Sequence, residues 1–224
     1  REMEDAYIMF RFYEIPERTR SDKISIATNS QSSVKARDLR SNDKRVLSIK
    51  RMYQQRFPNG YMITKRGEKA PADRDDLFVI DLSDLGKYLM AWHSQRPNMS
   101  YSVTKIFDRY FDQIFRRDYS PDCINALNNL SRAVFQKWTK ANPLGLNESL
   151  LAMKAYAPYH HLYAISAFIS LLNNASDKVP NPYTAYEALS STNQMDQVVN
   201  TAGTCLNSAL EAAANEPQSG NRVF

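Results

Sequence analysis

The chain has 224 residues, 43% of them hydrophobic and 24% charged, with a formal charge of +5. This is the composition of one or two globular domains with a true core, and it excludes a disordered chain. No apolar run approaches the roughly 18 residues of a membrane span, because the strongest one, residues 162–172, is short and carries Tyr163 and Ser166. Cys123 and Cys205 lie far apart without a metal-ligand spacing, which predicts a reducing, cytoplasmic setting and two small buried thiols. The start, Arg1-Glu-Met-Glu-Asp5, has no apolar signal core and reads as the cut edge of a longer protein.

The first element in chain order is a strand, residues 6–15, rich in β-branched and aromatic side chains and ended by Pro16. A short helix follows within 18–33, with Ser21 and Asp22 at its start and a polar end where Thr28, Asn29 and the serines compete for backbone hydrogen bonds. Lys35, Arg37 and Arg40 are expected in a loop. Ser41 or Asp43 then caps a stronger helix carrying Val46, Ile49, Tyr53 and Phe57, stopped by Pro58-Asn-Gly60. A short strand over 61–66 ends at Gly67, a charged loop follows, and Leu77-Phe-Val-Ile80 is a strand or the lead into a helix.

Helical periodicity takes over from there. Asp81 or Ser83 caps a helix with Leu82, Leu85, Leu89 and Trp92, and Arg96-Pro97 breaks it. Ser100 or Ser102 opens a helix whose stripe runs from Val103 through Phe107, Phe111 and Phe115; helical spacing and aliphatic neighbours make that stripe core. Ser120-Pro121 starts another, through Ile124, Leu127, Leu130, Val134 and Trp138. Asn147 or Ser149 opens an apolar segment that Pro158 kinks or splits, and after Pro180-Asn-Pro182 the chain closes with helices over 183–189 and 195–214. The predicted fold is α+β and mostly helical: a small mixed α/β portion, 1–80, packed on a helical bundle, 81–224. Two or three strands cannot bury themselves and must lean on helices or on upstream sequence.

Charge is uneven along the chain. Residues 16–75 hold 15 Lys and Arg against 7 Asp and Glu, a net +8, whereas residues 150–224 hold 3 against 5. A basic first third attracts a polyanion, or is a solvated face with no partner. Within it, Asn29 and Gln31 can each donate and accept hydrogen bonds and reach one ligand from a turn, or Asn29 simply ends its helix. Lys35, Arg37 and Arg40 lead into a helix N-terminus, where a phosphate is stable; Asp38 and Asp43 are the carboxylates that would pair with them instead. Lys65 and Arg66 alternate across a strand end, Gly67 frees the backbone, and Glu68 or Asp38 is the competing salt-bridge partner.

Two stretches of this region, Thr28-Asn-Ser-Gln-Ser-Ser-Val-Lys-Ala-Arg-Asp-Leu39 and Lys65-Arg-Gly-Glu68, resemble the paired motifs of the AIPR (abortive infection phage resistance) family. Val79-Ile-Asp-Leu82, Arg96-Pro97, Ile106-Phe107, Tyr110 and Ile114-Phe115 extend the likeness to residues 6–116. The Gly-Gly-Gln-Thr-like motif that family members carry upstream is absent here, in keeping with a fragment. The element order is also similar to a ParB/sulfiredoxin-like arrangement. The resemblance implies a bacterial phage-defence protein that binds nucleic acid, DNA or RNA, or nucleotide through Asn29, Gln31, Lys35, Arg37, Arg40, Lys65 and Arg66, with Asp38, Asp43, Gly67 and Glu68 in support. Its expected partners are nucleic acid, its own upstream domain and a second copy, with no membrane.

The alternative is a helical interaction or oligomerisation module. No nucleophile–base pair, Gly-rich phosphate loop or His-x-Glu motif stands out, so a complete active site is not expected in this piece, nor a cofactor. His160 and His161 diverge by about 100° on a helix and lack a nearby carboxylate, which argues against a metal. His93 is read as a helix-end cation or a satisfied surface group.

Overall fold

A computed structural model describes residues 35–116, 118–138, 145–153, 155–174 and 178–215. The chain divides into two compact units, Arg1–Lys35 and Ala36–Phe224. Of the first unit only Lys35 is described, so the strand expected at 6–15 and the helix expected within 18–33 lie outside the described residues.

The second unit is mostly helical with one small sheet. A single-turn helix, α1 (Ala36–Arg40), precedes α2 (Lys44–Arg56). Two strands follow, β1 (Gly60–Ile63) and β2 (Phe78–Asp81), and β2 runs directly into α3 (Leu82–Trp92). After a 3-10 turn at Pro97–Met99 come α4 (Val103–Asp108), α5 (Phe111–Phe115) and α6 (Pro121–Lys137). The chain continues as α7 (Glu148–Ala152), α8 (Ala157–Leu172), α9 (Pro182–Ser191) and α10 (Met195–Asn215).

Local chemistry explains most boundaries. The Asp43 side chain accepts from the Arg45 amide at the start of α2, Asp81 does the same for Ser83 at α3, and Ser120 for Cys123 at α6. Pro121, Pro158 and Pro182 sit in the first turn of α6, α8 and α9, where a missing N–H costs nothing. Pro158 therefore splits the apolar segment into α7 and α8. Beyond α2 the Phe57 amide donates to the Tyr53 carbonyl and the chain turns sharply into β1. Gly60 is required at that turn: a Cβ there would lie 2.8 Å from Tyr53 Cε1 and 2.9 Å from Phe57 Cβ.

The strands pair in parallel, Gly60 opposite Phe78 through Ile63 opposite Asp81. Parallel strands need a long crossover, and residues 64–77 supply it without a helix. One face of the ribbon buries Met62 and Ile80. The core then runs through α3, whose Leu82, Leu85, Leu89 and Trp92 are buried, and α3 packs on α4, α6 and α8. Trp92 Nε1 donates to the Pro180 carbonyl at 2.8 Å, tying the end of α3 to the approach to α9.

Two expectations are corrected. The stripe over 103–115 is not one helix. The Lys105 carbonyl accepts from both the Arg109 and Tyr110 amides, which closes α4, and α5 starts afresh. In a continuous helix Phe107 and Phe115 would stand about 12 Å apart along the axis. The break brings their ring centroids to 5.8 Å, with Phe111 4.9 Å from Phe115. The thiols also differ from expectation. Cys123 is half-buried, donating to Asn181 Oδ1 at 3.2 Å, and Cys205 is exposed because the buried stripe of α10 passes through Val199 and Ala202 toward Leu206.

Candidate functional site

The Lys65-Arg-Gly-Glu68 motif forms a tight turn at the end of β1. The Glu68 amide donates to the Lys65 carbonyl at 3.3 Å, and Gly67 has φ +77, the left-handed value that the third position of a type II turn requires. The turn folds Glu68 back over the strand end. Its carboxylate accepts from the Thr64 amide at 2.9 Å, the Lys65 amide at 3.0 Å and the Tyr61 hydroxyl at 3.0 Å, and it forms an ion pair with Lys50 of α2. Burial opposes the charge, but these donors outweigh it and hold the Glu68 carboxyl down at about 2, from an ordinary 4.5. Glu68 thus satisfies two strand-end amides and clips the turn to α2. Lys65 and Arg66 are left exposed at the tip, with no carboxylate in ion-pair range among the described residues.

The cations expected in a loop at 37–40 sit instead on α1. Arg37 is largely buried and reaches Asp81 Oδ2 at 2.6 Å, with Asp38 at 3.9 Å. Asp81 in turn caps α3, so Arg37 links α1 to the β2–α3 junction. Arg40 turns the other way: its Nε donates to the Phe107 carbonyl at 3.3 Å, and its guanidinium lies 4.4 Å from the Phe111 ring centroid. The N-terminus of α2, expected to attract a phosphate, is filled by the chain's own anion. Asp43 caps it and also binds Arg45 through two hydrogen bonds of 3.0 Å. The Asp43 carboxyl is held below its ordinary value: burial raises it, and the Arg45 side chain and amide more than compensate. Arg45 also reaches Asp112 at 2.9 Å, and its pKa rises with those partners.

Of the seven predicted binding residues, Asn29 and Gln31 lie outside the described residues, and Lys35 is exposed in the first unit. The strand register assembles three of the others. Ile63 stands beside Asp81, so Arg37 on Asp81 and Lys65-Arg66 just past Ile63 occupy the same end of the ribbon. That is the carboxyl end of two parallel strands, where α/β sheets place their ligands. Arg40 is held away from it, against α4 and α5.

Behind this end lies a group of ionisable side chains that no sequence motif announces. Lys87 donates to Asp84 at 3.0 Å, and the Tyr159 phenol, brought in by α8, lies close enough to act on its charge. The Lys87 pKa is raised: burial lowers it, and Asp84 and Tyr159 outweigh burial. Burial pushes the Tyr88 and Tyr159 phenols up. The Asp84–Lys87 spacing was legible as an i, i+3 pair; the approach of Tyr159 was not. The Asp/Glu/His/Cys side chains of the described residues form no group able to hold a metal ion, and no described helix is long and apolar enough to cross a membrane.

No curated protein and no solved structure matches this chain. The model of one family does, over residues 1–218, its description reading AIPR protein. With both paired motifs inside that span and the second one folded into the Glu68-anchored turn, the chain belongs to the AIPR family.

Proposed function

We propose that this protein serves in abortive-infection defence against phage and binds the phosphates of nucleic acid or nucleotide through the basic surface around β1. The observation that carries the reading is the Lys65–Glu68 turn, a rigid tip whose carboxylate is consumed internally while its two cations face solvent. Further exposed cations, Lys44 and Arg51 on one stripe of α2 and Lys69 after the turn, also have no carboxylate partner among the described residues. The Lys50–Glu68 pair holds the turn beside α2 and so beside those cations. Arg37 serves this surface as its internal strut.

The test is fluorescence anisotropy with labelled DNA and RNA oligonucleotides over a salt series. Binding should weaken steeply with salt, and the double variant Lys65→Ala/Arg66→Ala should flatten the log–log slope by about 0.9 for each phosphate of duplex DNA that it no longer neutralises. Absence of binding to every oligonucleotide at low salt sinks the proposal. One observation favours a second reading, assembly through the helices: Leu171 and Leu172 at the end of α8 are 62% and 64% exposed. A dimer in light scattering that Leu172→Asp converts to monomer, together with no nucleic-acid binding, would select it.

A further inference from the structure

A second polar recess lies on the helical half, away from the strands. α6, α9 and the first residue of α10 border an open groove of about 470 Å³, a volume within the range of small-molecule sites. Asn129, Arg132 and Gln136 enter it from one face of α6, at i, i+3 and i+7, and Tyr186 from α9. Asn193 enters from the turn between α9 and α10, held in the left-handed conformation at φ 53. The floor is apolar, with the buried Leu189.

The lining is chemically one-sided. Arg132 is its one charged group. The nearby Asp196 carboxylate is held by Lys137 at 2.9 Å. Among the described residues none of these five polar side chains has a hydrogen-bond or ion-pair partner in the protein. Here three amides, a phenol and a guanidinium line one space, with Arg132, Gln136 and Asn193 exposed to solvent and open to a ligand. A single cation sets the ligand charge at about one anionic group. Three amides offer paired donors and acceptors to a planar hydrogen-bonding edge. Tyr186 and Leu189 offer a surface for a ring.

We propose that this groove binds a small planar anion of the nucleoside monophosphate class, with Arg132 on the phosphate and the amides of Asn129, Gln136 and Asn193 on the base edge. The site is separate from the basic surface around β1 and does not depend on it.

Calorimetric titration of the chain with the four ribonucleoside 5′-monophosphates, and with inorganic phosphate for comparison, tests the assignment. At least one nucleotide should bind, and more tightly than phosphate. Arg132→Gln should weaken it about tenfold or more, as expected for losing one charge-assisted hydrogen bond, and Gln136→Ala should alter the preference among the four bases. Both are helix-surface substitutions, and unchanged circular dichroism confirms that the fold is kept. Nucleotide binding that Lys65→Ala/Arg66→Ala abolishes and Arg132→Gln leaves unchanged would belong to the surface around β1 and overturn the inference. No nucleotide binding up to millimolar concentration, phosphate binding as tightly as the nucleotides, or an Arg132→Gln variant that binds like the parent overturns the inference.

Discussion

Glu68 shows how a short motif divides into a support and a working part. Its carboxylate meets a lysine, a phenol and two backbone amides, and each donor would be left partly unsatisfied without it. Glu68→Gln removes the charge while keeping the shape, and a cost of about 1–3 kcal/mol follows from the weakened charge-assisted bonds. The pH dependence has a definite sign. The folded carboxyl titrates at about 2 and the unfolded one near 4.5, so the folded state binds fewer protons over that interval. The stabilisation is complete above pH 4.5 and is lost as pH falls toward 2. Urea titrations across that range should show a shallower acid decline in Glu68→Gln than in the parent. The turn itself was legible in Lys-Arg-Gly-Glu, through its glycine. The clip to α2 was not, because Lys50 stands 18 residues away and helical periodicity assigns it only to a non-core face.

Among the elements, those bounded by side-chain chemistry could be read in advance. Asp43, Asp81 and Ser120 cap the helices they were expected to cap, and Pro158 divides α7 from α8. Periodicity misled where tertiary packing overrode it: Phe107, Phe111 and Phe115 suit one helix, yet three buried rings pack more closely when the helix breaks. Contacts between distant helices leave no local trace at all. Fully buried His161 on α8 accepts from Trp138 Nε1 at 3.1 Å and is 2.7 Å from the Val199 carbonyl of α10, to which its Nε2–H donates. Three helices thus meet on one neutral imidazole. Burial lowers its pKa, with the Val199 carbonyl opposing that shift. Protons therefore favour the unfolded chain. The contribution of His161 is full above its ordinary 6.5 and declines as pH falls below that value. His161→Phe should abolish that part of the pH dependence and cost about 1–3 kcal/mol at neutral pH by leaving the indole N–H and the carbonyl unmet. Denaturation midpoints at about pH 5 and about pH 8, on either side of the ordinary imidazole range, would show both effects; equal pH sensitivity in the variant would refute the assignment.

At the scale of the molecule, the mostly helical α+β architecture was readable from composition and periodicity, since two short strands amid long apolar stripes leave few other solutions. The direction of the strands was not. The sequence shows two β-prone stretches joined by a charged segment, and nothing local distinguishes a hairpin from a parallel pair. The choice is made by α3, which continues from β2 and buries Leu82, Leu85 and Leu89.

That crossover has a further consequence. Residues 71–76 are all exposed, and Lys69 just before them is a trypsin site on the open surface. Cleavage there severs the chain after the Lys65–Glu68 turn has already closed, and the halves remain joined by the strand ladder and by α2 against α6. Brief trypsinolysis should yield two bands on a denaturing gel and a single peak on a sizing column. The nicked protein should still withstand heat nearly as well as the intact one.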